Sequence, residues 1–233
     1  MNKRQQKVGV CAYCGEAKPL TDDHIPPKSL FPTPRPSDLI TVPSCYDCNA
    51  GFQKDDEYFR AIMVLWQETG SHREALRLAR HVVRDLKRPE KTRFRRSLIE
   101  RARPIPVFTK SGLYAGETGL LPVDSLRLHG TVIRIVKGLF YHHKGVRLPD
   151  SHEVQVRFST PDRRAANFAR ATLPRLAAKP VILGNGVFKY WVEFSAKDEM
   201  ASAWVLQFFE FLLFVCVTVP SGFTGAPRDV FPA

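Results

Sequence analysis

The sequence predicts an α+β protein in three parts: a small cysteine-bearing module at residues 8–58, a basic helical region at 59–103, and a mixed α+β domain at 104–222. Three observations predict this. Cys11-x-x-Cys14 and Cys45-x-x-Cys48 share one spacing and enclose a proline-rich stretch. Helical periodicity with arginines along one face comes next. Alternating apolar segments then recur toward the C-terminus.

Seven prolines lie between Cys14 and Cys48, which excludes a helix there and leaves short strands and ordered loops. Leu39–Val42 reads as a strand running into the second cysteine pair. A helical pattern starts at Asn49. Asp55, Asp56 and Glu57 suit a first turn, where acid is favoured, and Tyr58, Phe59, Ile62, Met63 and Trp66 follow at helix spacing. Gly70 then Ser71 reads as a stop followed by an N-cap.

The next helix is predicted from Ser71 to about Arg88. Ala75, Leu76, Ala79, Val82, Val83 and Leu86 form its apolar face, and Pro89 breaks it. Arg73, Arg77, Arg80, Arg84, Lys87 and Arg88 fall in one opposite stripe at 100° per residue. A second basic helix runs from about Glu90 to Arg103, with Phe94, Leu98 and Ile99 as its apolar side. Residues 73–103 carry 12 bases against 4 acids, whereas residues 1–58 carry 7 against 8. The formal charge of +12 and pI near 9.7 are therefore concentrated on these helices, which suits a polyanionic partner. A solvated basic face is the plainer alternative.

In the remainder, Thr131–Val136 and Glu153–Phe158 alternate like strands. Pro161–Ala178 reads as a helix, and Pro180–Leu183, Phe188–Phe194 and the final apolar run as strands, with Gly184-Asn185-Gly186 as a hairpin turn. Ala203–Val219 is short for a membrane span and carries Gln207 and Glu210, so it reads as core. Tyr141-His142-His143 with His152 lacks metal-ligand spacing and reads as a hairpin end. Trp66 and Trp204 read as core residues.

Two Cys-x-x-Cys turns can present four thiolates to one tetrahedral Zn²⁺, and such a small proline-rich module needs that bond in place of a large core. A redox pair or four unrelated buried cysteines are the alternatives. Cys216 stands alone in an apolar run. Five cysteines at this spacing argue against a secreted disulfide framework, and the polar start Met1–Lys7 gives no signal peptide, so the cytoplasm is the expected compartment.

Between the pairs lies Asp23-His24-Ile25-Pro26-Pro27-Lys28, and Asn49 directly follows Cys48. A neutral imidazole can take a proton from water near pH 7, while a carboxylate and an amide oxygen suit a hard cation such as Mg²⁺ or Mn²⁺. Over residues 11–55 this arrangement resembles the HNH, or ββα-metal, endonuclease family. The resemblance implies a zinc-stabilised ββα-metal module in which His24 activates water, Asp23 and Asn49 hold one catalytic divalent metal, and cleavage leaves 5′-phosphate and 3′-hydroxyl ends. The family often carries a further polar residue that orients the imidazole; Asp38 is the nearest candidate here. Asp22 reads as a solvated neighbour.

The expected activity is phosphodiester hydrolysis in nucleic acid, with DNA ahead of RNA and no membrane partner. Lys28, Lys54 and the six-base stripe are the candidate contacts. A non-catalytic zinc-stabilised nucleic-acid-binding or regulatory protein, or a ribonuclease using the same site, are the alternatives. Target selection or homo-oligomerisation is left to the C-terminal domain.

Overall fold

The computed structural model describes residues 7–100, 102–109, 111–159 and 179–225. The chain is mixed α+β. Strands β1 (Val8–Val10), β2 (Ala17–Ile25) and β3 (Ile40–Cys45) form an antiparallel sheet in that order, with Leu20 opposite Cys45 and Ile25 opposite Ile40. Helix α1 (Tyr46–Gly51) starts immediately after β3, so Cys48 and Asn49 are both helical; the predicted start at Asn49 was three residues late. No proline lies between Pro43 and Pro89, which lets the helix begin earlier.

Helix α2 (Gln53–Leu65) buries Tyr58, Phe59, Ile62 and Met63 as its periodicity predicts. A 3₁₀ turn, Gln67–Ser71, then leads to α3 (Arg73–Leu86) with His72, not Ser71, at the N-cap. The buried face of α3 is Ala75, Leu78, Val82 and Leu86; Leu76 and Val83 are exposed. Its packing stripe is thus rotated away from the basic edge relative to the predicted one. Helix α4 (Thr92–Ile99) is shorter than predicted, burying Leu98 but leaving Ile99 exposed. Arg103 opens a strand instead: β4 (Arg103–Phe108) and β5 (Tyr114–Leu120) form a two-stranded antiparallel ribbon, and its alternate prolines suit an extended edge.

The predicted strand Thr131–Val136 is overturned. It lies inside α5 (Ser125–Lys144), a 20-residue helix capped by the Asp124 carboxylate on Arg127 N–H and ended by Gly145 in the left-handed region. Leu128, Val132, Ile135, Val136 and Leu139 recur at helical spacing and are all buried, so tertiary packing overrides the β-branched local pattern. Tyr141, His142 and His143 consequently sit in a last helical turn, not at a hairpin end.

The C-terminal sheet runs β6 (His152–Ser159), β10 (Leu212–Pro220), β9 (Ser202–Phe208), β8 (Phe188–Phe194), β7 (Val181–Leu183), antiparallel throughout. Gly184, Asn185 and Gly186 all have positive φ in the β7–β8 turn, as that tripeptide predicts. The final apolar run folds back on itself, with Phe209 and Glu210 at positive φ between β9 and β10. No helix among the described residues is long and apolar enough to cross a membrane. The predicted helix at 161–178 lies outside the described residues.

One cluster of buried side chains links these elements, from Ile25 on β2 through Phe59 and Phe140 to Trp204 and Phe208. Phe59 meets Phe208 edge-on with ring centroids 5.3 Å apart. Trp204 is fully buried, whereas Trp66 is only partly so. Helix α5 approaches β2 closely because residue 138 is glycine: a β-carbon there would sit 2.7 Å from Ile25 Cδ1.

Candidate functional site

Cys11 and Cys14 occupy the turn after β1, where Gly15 at φ 76° lets its N–H bond back to the Cys11 carbonyl. Cys45 ends β3 and Cys48 lies in the first turn of α1. Their sulfurs all fall within 4.8 Å of one another, and Cys14 and Cys45 Sγ are 3.9 Å apart. Four ligands at a Zn–S distance of ~2.3 Å in a tetrahedron would be ~3.8 Å apart, so the cluster fits zinc. Tyr13 and Cys45 N–H groups donate to Cys11 Sγ at 3.4 and 3.3 Å. Burial alone would raise the Cys11 pKa, but backbone donors at Cys45, Cys14 and Tyr13 bring it down to about 6, favouring its thiolate, whereas burial and the neighbouring sulfurs push Cys48 up. Cys216 is buried in the C-terminal sheet and joins no such cluster among the described residues.

Beside this cluster is an open cleft of about 450 Å³ whose lining includes Asp23, His24, Lys28, Asn49, Asp56 and Arg60. Asp23 and His24 are paired with Val42 and Thr41 across the β2–β3 ladder, which fixes their register. Asp23 is buried; Tyr13 Oη donates to its Oδ2 at 2.6 Å and Arg134 Nη1 lies 3.4 Å from the same atom. His24 is half-buried. Desolvation, reinforced by the positive charges of Lys28 and Arg35, lowers its pKa and keeps the ring neutral at pH 7. Its ring makes no hydrogen bond to a described residue. Asp38, the candidate orienting group, instead accepts from Gly184 N–H at 3.2 Å, because the loop before β3 packs toward the β7–β8 turn.

Asn49 is oriented by a residue that sequence reasoning missed. The Thr21 hydroxyl donates to the Ser44 carbonyl at 3.0 Å, so its oxygen can only accept from Asn49. Asn49 Nδ2 fills that role at 3.0 Å, which leaves Oδ1 as the amide's uncommitted end. Asp56 and Arg134 were also missed. Arg134 bonds Asp56 Oδ1, and burial with Asp23 nearby still raises the Asp56 pKa to about 6. The available signal was a lone arginine inside Val132-Ile133-Arg134-Ile135-Val136, a charge that must find a partner if the segment is buried.

All six bases of the α3 stripe are exposed. Arg77 pairs with Glu74 and reaches the Thr33 carbonyl, Arg84 contacts His81, and Arg88 pairs with Asp85. Asp85 also pairs with Arg60 of the cleft, so α3 packs next to it. Lys28 lines the cleft, whereas Lys54 is exposed outside it, with its carbonyl accepting from Arg127. Asp22 is exposed at the cleft rim. His143 meets Tyr190 Oη at 3.0 Å and His152 pairs with Asp198, so the histidines do not converge. Comparison with family models, curated proteins and solved structures returned no significant match.

Proposed function

We propose that the chain is a metal-dependent HNH-type endonuclease that hydrolyses phosphodiester bonds in DNA. The observation that carries this reading is that Asp23, His24 and Asn49 line one cleft beside the four-cysteine cluster. The order β2, β3, α1 supports it, since a ββα-metal module has that sequence of elements.

Neutral His24 accepts a proton from the attacking water as its oxygen bonds phosphorus and the P–O3′ bond breaks. Asp23 and the freed Asn49 Oδ1 would hold Mg²⁺ or Mn²⁺, which supplies positive charge at the phosphate and the departing oxygen. The four cysteines hold zinc and fix β3 and α1 relative to the β1–β2 turn. Lys28 and the exposed α3 bases attract the phosphate backbone without reading base sequence.

The test is cleavage of DNA and RNA substrates with Mg²⁺ or Mn²⁺. Wild type cuts DNA, and His24→Ala lowers the rate by ~10²-fold or more. Reversing Arg77, Arg80 and Arg84 to Glu weakens DNA binding and flattens its salt dependence. Undiminished cleavage by His24→Ala would remove the assigned base. One observation favours a second reading, a non-catalytic zinc-stabilised nucleic-acid-binding protein: the His24 ring lacks an orienting partner among the described residues. Binding by wild type with no cleavage under any of these conditions would select it.

A further inference from the structure

We propose that Arg134 on α5 is the positioning residue for Asp23, so that the cation site is completed by a helix 111 residues downstream. This rests on the nuclease reading of the cleft and adds a residue to it.

Arg134 has only 4% of its side chain exposed. A buried guanidinium is costly unless paired, and here its two ends meet two carboxylates: Nη1 faces Asp23 Oδ2 and Nη2 bonds Asp56 Oδ1. Its Cζ lies 4.4 Å from the Phe52 ring centroid, and Phe52 in turn meets Tyr13 edge-on. The buried Nε–H has no acceptor among the described residues, so the two carboxylates, not maximal bonding, set the orientation of the guanidinium. Gly138, one turn further along α5, permits the close approach that delivers it.

Both constraints on Asp23 act on one atom. Tyr13 Oη and Arg134 Nη1 hold Oδ2, and no described residue bonds Oδ1. The carboxylate therefore cannot rotate freely, and Oδ1 is the oxygen left for a cation. Charge agrees with this. An ordinary buried ion pair sets one carboxylate against one guanidinium, but here two carboxylates share a single guanidinium beside the cleft.

The experiment uses the full-length zinc-loaded protein and follows Mn²⁺ binding by loss of the free-ion electron paramagnetic resonance signal, with zinc content measured in parallel. Wild type binds Mn²⁺. Arg134→Lys, which keeps the charge but not the two-ended geometry, weakens binding by ~10-fold or more with zinc unchanged, as for other groups that orient a metal ligand. Tyr13→Phe, which removes only the second bond to Oδ2, weakens it several-fold and carries the test should the lysine variant fail to fold. Mn²⁺ affinity within twofold of wild type in the folded variants would overturn the Arg134 assignment alone. Absence of Mn²⁺ binding in wild type would instead overturn the nuclease reading on which it rests.

Discussion

The N-terminal sheet and the C-terminal sheet reach order by different means. β1 and β3 are short, β2 carries Lys18, Thr21, Asp22, Asp23 and His24, and the sheet is gathered at one end by four thiols. β8, β9 and β10 enclose Tyr190, Trp204, Phe208 and Phe214, all nearly inaccessible to solvent. Apolar burial grows with the number of side chains enclosed, while a metal link supplies its energy through a few bonds. The first region can therefore place Asp23, His24 and Asn49 along a cleft instead of an all-apolar interior.

The sharpest way to break this comparison is to remove the zinc that the cysteines are proposed to hold. Structural zinc contributes on the order of 10 kcal/mol in small domains. Chelation, or Cys45→Ser, should raise amide exchange in β2 and β3 by orders of magnitude while β9 and β10 stay protected. Unchanged exchange after verified metal loss would show that the thiols are dispensable. Trp204→Ala is the converse. It removes a fully buried indole and its bond to Ser202, costing about 3–5 kcal/mol, and should lower the melting temperature without altering zinc content. A fall in bound zinc would mean that the two regions are not separable.

The smallest effect concerns acid. His143, with its ring against Tyr190, Phe194 and Trp204 but one edge open to solvent, has a pKa held below the usual 6.5 by partial desolvation and the neighbouring His142. The unfolded chain then binds more protons than the folded one below that value, so stability falls as pH drops through about 6.5 and is regained above it. Replacing His143 with Gln should flatten this dependence in urea titrations, and an identical slope would place the acid sensitivity in other groups.

Local chemistry was legible in the sequence wherever the determinants were adjacent in the chain. Cys11, Cys14, Cys45 and Cys48 announce themselves by spacing, and Gly184-Asn185-Gly186 by its turn residues. Helix α5 was misread because Thr131–Val136 alternates over a short window, although Asp124 and Gly145 mark its two ends. Arg134 and Thr21 could not be ranked from sequence, since their importance lies in partners brought near only by folding. Asp38 had the right chemistry and neighbourhood, but the β7–β8 turn claims it.

The Thr21 hydroxyl has a consequence beyond holding Asn49. It behaves as a polarity relay. The β3 carbonyl at Ser44 accepts its hydrogen bond, that choice leaves the oxygen as an acceptor, and the acceptor turns the amide so that nitrogen faces the strand. The direction of one peptide unit in a sheet is thereby copied onto the Asn49 side chain of the helix that follows it.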